Sequence, residues 1–199
     1  MSLKIQRYDL VNDGRVLATR STGREIGATV SSKLANAGGL LLNFHGVDVA
    51  SPSFLSEVLI ALRGLLVSAD DHWLLLTGMN EDVRESLEFV LKHEKMILGE
   101  VEDDRIELLG GSQHLAETLN EAQKLGTFTA PELADRLKMK LPALHQRLNQ
   151  LADAGLLARE DDPTAKRGKR GKFTAPPKDE VRDAADGESS DVEILAGTH

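Results

Sequence analysis

The sequence has 199 residues, 41% of them hydrophobic, which is enough for one large domain or two small domains with cores of ordinary size. It contains no cysteine, no apolar run of membrane-spanning length and no apolar core near its first ten residues. These observations exclude disulfides and thiolate metal sites, and they predict a cytoplasmic protein that does not use a membrane. The net charge of −8 is unevenly distributed: residues 1–111 carry 11 basic and 17 acidic side chains, residues 112–177 carry 11 and 8, and residues 178–199 carry 2 and 7.

In residues 1–111, strand and helix signals alternate. The predicted strands cover residues 4–10, 16–19, 40–44, 73–77 and 105–109, and the first two flank a turn at residues 12–14. The predicted helices follow the capping residues Thr22, Ser51 and Asn80. Strands separated by helices predict an α/β domain with a parallel or mixed sheet and helices packed against it.

The segment Asn43-Phe44-x-Gly46-Val47, followed by Ser51-Pro52-Ser53-Phe54-Leu55-Ser56-Glu57, resembles the STAS-like family, which includes relatives of the anti-sigma-factor antagonists. The resemblance implies a STAS-like domain over residues 1–111 that docks a protein partner. Its implied docking or regulatory surface consists of Ser51, Ser53, Ser56 and Glu57. In the antagonists a serine in this region is phosphorylated, but their Asp-Ser-Ser-Gly signature is absent here. Ser51 fits a helix cap, and Ser53 or Ser56 is the better candidate for accepting a phosphate at the first helical turn.

Residues 112–177 carry a different order of signals. A helix is expected over residues 112–125, and Thr129-Ala130-Pro131-Glu132 has the spacing of a capping box at the start of a second helix. After a break at residues 138–140, leucines at helical spacing mark a third helix, which Gly155 terminates. Two short strands then enclose a basic, glycine-punctuated loop. This order predicts a small α+β domain of the winged helix-turn-helix type.

The third helix of this segment is the predicted DNA-reading element. With Leu144, Leu148 and Leu151 buried, its outward residues are Pro142, His145, Gln146 and Asn149. The amides of Gln146 and Asn149 suit adenine edges, whereas this face as a whole has few base-reading groups. Phosphate contacts are therefore expected mainly from the basic loop, through Lys166, Arg167, Lys169, Arg170 and Lys172.

The pattern Glu132-Leu133-Ala134-Asp135-Arg136-Leu137, followed by the leucines of the third helix and by Asp153-Ala154-Gly155-Leu156-Leu157, resembles the winged-helix domains of MarR- and ArsR-type bacterial regulators. The resemblance implies binding to duplex DNA, although winged helices also serve as protein-docking modules. The serine-threonine run that usually precedes the leucines of the recognition helix is missing.

Residues 178–199 are acidic and contain no aromatic residue, which predicts a disordered tail. Such a tail could compete with phosphate for the basic loop, or it could simply increase solubility.

No signal for catalysis was found. Phosphate-binding and nucleophile-elbow motifs are absent, and the six histidines are scattered without metal-ligand spacing. His45 is the best catalytic candidate by position, but a histidine at a strand end is usually structural. We therefore predict a protein that is not an enzyme and that uses no metal and no cofactor.

Together these observations predict a bacterial-type transcription regulator in which a STAS-like module docks or senses a protein partner and a winged helix binds DNA as a homodimer. The alternative is a partner-switching adaptor that docks proteins, possibly working with a kinase, and never contacts DNA. A less favoured reading makes the first domain a sensor of a small molecule or nucleotide.

Overall fold

The computed structural model describes residues 4–68, 72–103, 105–160 and 171–187. The first part of the chain contains the strands β1 (Lys4–Asp9), β2 (Val16–Leu17), β3 (Gly38–Asn43), β4 (Val49–Ala50), β5 (Trp73–Thr77), β6 (Leu98–Glu102) and β7 (Arg105–Leu109). It also contains the helices α1 (Arg20–Ala37), α2 (Pro52–Ser68) and α3 (Glu81–Glu94). Five strands form a sheet in the order β1-β3-β5-β6-β7, in which only the β6–β7 pair is antiparallel. We call this part the α/β unit.

Helices α1, α2 and α3 cover one face of the sheet. Side chains on this face, such as Leu40 and Leu42 of β3, share one hydrophobic cluster with the buried residues of the three helices. Helices α1 and α2 approach closely, because a Cβ atom on Gly23 would lie only 2.7 Å from the backbone oxygen of Phe54. Gly23 therefore serves close packing between two helices.

The second part of the chain forms a winged helix-turn-helix followed by one more helix. Its elements are α4 (Gln113–Leu125), β8 (Thr127–Thr129), α5 (Ala130–Leu137), α6 (Leu141–Asp153), β9 (Ala158–Glu160), β10 (Lys172–Thr174) and α7 (Lys178–Asp186). The three strands pair antiparallel in the order β8-β10-β9. Within the described ranges the protein is thus a mixed α/β structure with seven α-helices. None of these helices combines the length and the apolar character that a membrane crossing requires.

The winged helix and α7 cover the other face of the α/β unit. Leu41 and Leu75 of the sheet belong to the same hydrophobic cluster as Leu151, Leu156 and other core residues of the winged helix. A backbone hydrogen bond reinforces this contact, since the N–H of Leu74 donates to the C=O of Gly155 at 3.0 Å. Strand β3 is buried along its whole length because both faces of the sheet are covered.

The edge strand β7 is closed by a side chain. The backbone N–H of Ile106 donates to Oε1 of Gln123 at 3.1 Å, and Nε2 of Gln123 donates to the C=O of Ile106 at 3.0 Å. The carboxamide of this α4 residue therefore takes the place of a neighbouring strand. An edge satisfied in this way is a poorer template for pairing with another chain.

The structure corrects several local expectations for the α/β unit. The two strands predicted to flank the turn at residues 12–14 are present, but they do not pair with each other, because β1 pairs in parallel with β3 and β2 pairs in parallel with β4. The cap of α1 is Thr19 rather than Thr22, since Oγ1 of Thr19 accepts from the N–H of Thr22 at 3.2 Å. Strand β6 was not predicted, because its glycine and two glutamates weaken the apolar signal of a strand.

The expectation of disorder after residue 177 does not hold for α7. This helix buries Val181 and Ala184 against the second face of the sheet. At its end, Nη1 of Arg7 on β1 donates to the C=O of Ala185 at 2.5 Å, where a cation meets the favourable end of the helix dipole. The prediction from composition was wrong, because two small apolar residues at helical spacing are enough to anchor a helix when a sheet face is available to pack against them. Residues 188–199 lie outside the described residues.

Candidate nucleic-acid interface

The helix before the candidate reading helix begins at the capping box predicted from the sequence. The N–H of Thr129 donates to Oε2 of Glu132 at 2.7 Å, and the hydroxyl of Thr129 donates to the same oxygen at 2.9 Å. The backbone hydrogen bond from Thr129, followed by its side-chain hydrogen bond, holds the pKa of Glu132 below its usual value. The negative charge of Glu132 is thus fixed at the start of α5, where the helix dipole favours it.

Helix α6 is anchored by its buried side and exposes the predicted reading face. Leu144, Leu148 and Leu151 are fully buried. On the opposite side, the exposed residues include Pro142, His145, Gln146 and Asn149. The leucine spacing therefore gave the correct orientation of the helix, while the contact of these four residues with DNA remains a prediction.

Arg147 ties α6 to α4. Its Nη1 atom lies 3.2 Å from the C=O of His114 and 3.2 Å from the hydroxyl of Thr118, both of which accept from it. This arginine is only partly exposed, and its two hydrogen bonds to α4 hold one side of α6 in place. A helix held by three leucines and an arginine can present its outer face in a fixed position.

Two lysines beside the start of α6 were not singled out from the sequence. Lys138 ends α5 in a left-handed conformation and Lys140 is the N-cap of α6; both are exposed, and neither forms an ion pair within the described part of the chain. No side chain caps the start of α6, so its first backbone N–H groups are open to an anion. The sequence signal was the pair of lysines in the break between two helices, which is where a phosphate would approach.

Asn149 is held by a residue of the wing. Nη2 of Arg159 in β9 donates to Oδ1 of Asn149 at 2.6 Å, and the guanidinium also lies 5.7 Å from the ring centre of Phe173. The amide oxygen of Asn149 is therefore engaged in the free protein. Bidentate recognition of an adenine by Asn149 would use the second lone pair of this oxygen beside the Arg159 contact, a constraint that the sequence does not reveal.

The wing itself is described only at its base. Strands β9 and β10 pair there with Glu160 opposite Lys172. Lys172 is exposed, and its positive charge also helps to lower the pKa of Glu132, so part of its electrostatic effect acts within the protein. The other predicted phosphate ligands lie outside the described residues; they are Lys166, Arg167, Lys169 and Arg170.

The predicted partner surface on α2 has internal roles. The hydroxyl oxygen of Ser51 accepts from the N–H of Phe54 at 3.2 Å, as expected for the cap of α2. Ser56 donates to a glutamate of α3, and Glu57 pairs with two arginines of α1. Of the three serines of this surface, Ser53 alone has a hydroxyl without a hydrogen bond to the described residues. These contacts do not test partner docking, which stays a prediction.

Comparisons with known proteins address the winged helix alone. Residues 115–168 match the MarR family, and this match runs from the first turn of α4 through α6 and β9 into the basic loop. No characterised protein and no solved structure matched the chain. No match supports a STAS-like fold for the α/β unit. In the described ranges, no three histidine, aspartate or glutamate side chains gather as a metal site would require. Residues 115–168 thus contain a MarR-family winged-helix domain, which suggests a DNA-binding transcriptional regulator.

Proposed function

We propose that the protein is a transcription regulator that inserts α6 into the major groove of duplex DNA and places its wing along the sugar-phosphate backbone. The observation that carries the proposal is the exposed polar face of α6, which Leu144, Leu148 and Arg147 hold in a fixed orientation. The MarR-family match over the same helix supports it. No catalytic role is included in the proposal.

Phosphate contacts provide most of the affinity in this proposal. Lys138, Lys140 and Lys172 are exposed around α6 and the base of the wing. The basic loop adds four more cations, and every phosphate that is neutralised releases counterions from the DNA. Few groups on α6 can read bases, so the affinity for unrelated duplexes should be only moderately lower than the affinity for the operator.

A salt series tests this proposal. Binding of the full chain to a fluorescent duplex is measured by anisotropy, and log K is plotted against log salt concentration. The double variant Arg167→Ala/Arg170→Ala should lower the steepness of this plot by about 2, because each phosphate contact contributes about 0.9. The matched control is Lys92→Ala/Arg105→Ala, which removes two exposed cations of the α/β unit and should leave the slope unchanged. Absence of duplex binding at low salt would contradict the proposal and favour the adaptor alternative.

Homodimerisation and partner docking are further parts of the proposal. A homodimer on a palindrome would supply the specificity that one poorly equipped reading face does not, and the mass of the protein in solution tests it. A STAS-like docking surface at residues 51–57 has support only from the sequence resemblance. Replacing Ser53 with glutamate would test it, because the hydroxyl of Ser53 has no hydrogen bond to the described residues. Loss of a captured partner with unchanged DNA binding is the expected result.

A further inference from the structure

A cleft of about 350 Å³ lies between the α/β unit and the winged helix. The α/β unit contributes Arg63 of α2, Lys95 after α3 and the β7–α4 turn at Gly110 and Gly111, and the winged helix contributes the last turn of α6. Its volume falls within the range of about 300–1,000 Å³ that is typical of small-molecule sites.

The charges around this cleft come from opposite sides. Arg63 and Lys95 belong to the α/β unit, whereas the carboxylate of Asp153 belongs to α6. Within the described part of the chain, none of these three groups forms an ion pair or a side-chain hydrogen bond. By contrast, five other arginines of the α/β unit each contact a carboxylate: Arg7, Arg15, Arg20, Arg24 and Arg84.

Apolar side chains complete the wall. Met96 and Ile97 follow Lys95 on the side of the α/β unit, and Leu115 of α4 lies on the side of the winged helix. Ile97 is partly exposed, so the wall offers apolar surface to an occupant. A ligand that fits this wall needs an apolar body, an anionic group for the two cations and a cationic donor for the aspartate.

We propose that this cleft binds a small zwitterion with an apolar body, namely an apolar α-amino acid, with its carboxylate at Arg63 and Lys95 and its ammonium at Asp153. Gln150, on the same turn of α6, supplies a further amide beside the ammonium position. The ligand would join two charged groups of the α/β unit to one of α6. It would therefore contact both the α/β unit and the winged helix, next to the place where Leu74 and Gly155 are hydrogen-bonded.

The test is calorimetric titration of the full chain with L-leucine in the absence of DNA, so that its outcome is independent of the proposed DNA binding. Two analogues serve as ligand controls: 4-methylpentanoate lacks the ammonium group, and 3-methylbutylamine lacks the carboxylate. Saturable binding of L-leucine at millimolar or lower concentration is expected, with at least about tenfold weaker binding of both analogues.

Protein variants locate the site. Arg63→Gln and Asp153→Asn should each weaken L-leucine binding by about tenfold or more, because each removes a charge-assisted contact. Arg105→Gln is the matched control, since it removes an exposed arginine of β7 that does not line the cleft, and it should bind L-leucine normally. Circular dichroism would verify that each variant is folded. The proposal is overturned if L-leucine does not bind, if an analogue binds equally well, or if the folded Arg63 and Asp153 variants bind like the unaltered protein.

Discussion

The contact between the winged helix and the sheet leads to a specific prediction for Gly155→Ala. Gly155 follows α6 with φ +70°. A Cβ atom at this position would lie 2.9 Å from the backbone nitrogen of Leu74 and 2.8 Å from Cδ2 of Leu66. The side chain of Leu66 can rotate, but the nitrogen of Leu74 belongs to β5 and donates the hydrogen bond to Gly155.

Two costs add at this position. Alanine in a left-handed conformation costs about 1–2 kcal/mol. Forcing a methyl group against a strand that is packed on both faces costs about 1–3 kcal/mol more. The variant should therefore lose about 2–5 kcal/mol of unfolding free energy, a large share of the about 5–15 kcal/mol that stabilises an ordinary domain.

Gly126→Ala is the matched control. Gly126 also has φ +70°, but its ψ of −90° lies outside the left-handed helical region, and no atom lies within 4 Å of a Cβ at this position, so only a backbone cost of about 1–3 kcal/mol applies. Urea unfolding followed by circular dichroism measures both losses, and hydrogen exchange of the Leu74 amide reports the local contact. A loss below about 2 kcal/mol for Gly155→Ala, with unchanged exchange at Leu74, would refute the close approach.

Three other changes test the packing. Burial raises the pKa of Glu100 from 4.5 to about 7, so the folded state loses stability as pH rises through this interval. Glu100→Gln should remove up to about 3 kcal/mol of that loss, measured by urea unfolding at pH 4 and pH 8. Arg84 keeps its contact with Glu102 in this variant. Gln123→Leu should cost about 1–3 kcal/mol and speed hydrogen exchange at Ile106, whereas an exchange rate unchanged from the unaltered protein would argue against the edge closure. Thr129→Ala should lower the unfolding free energy by about 1 kcal/mol, and a loss near zero in urea unfolding would show that the capping box contributes little.

Local signals in the sequence predicted the winged helix well. The capping box at Thr129 and the spacing of Leu144, Leu148 and Leu151 are short-range patterns, and each reports the helix that contains it. The caps Ser51 and Asn80 were read correctly for the same reason. Helical periodicity also oriented the outer face of α6 without knowledge of its neighbours.

Contacts between residues far apart in the chain could not be predicted from these local patterns. Strand β6 contains Gly99 and Glu100, and its pairing with β5 and β7, rather than its own composition, makes it a strand. The contact of Arg159 with Asn149 depends on how the wing folds back toward α6. The cleft at Arg63 likewise exists only because the winged helix packs beside the α/β unit.

The packing of α7 on β1 also has a consequence for the order of folding. Arg7 and Ala185 are 178 residues apart in the chain, so their contact closes a very long loop. During synthesis, residues 4–9 emerge long before residues 178–186, and the part of the sheet surface that α7 covers stays exposed in the meantime. Non-local closure of this kind is slow, and the waiting apolar surface is prone to association with other chains. Productive folding therefore depends on keeping the β1 end of the sheet apart from other chains until α7 docks.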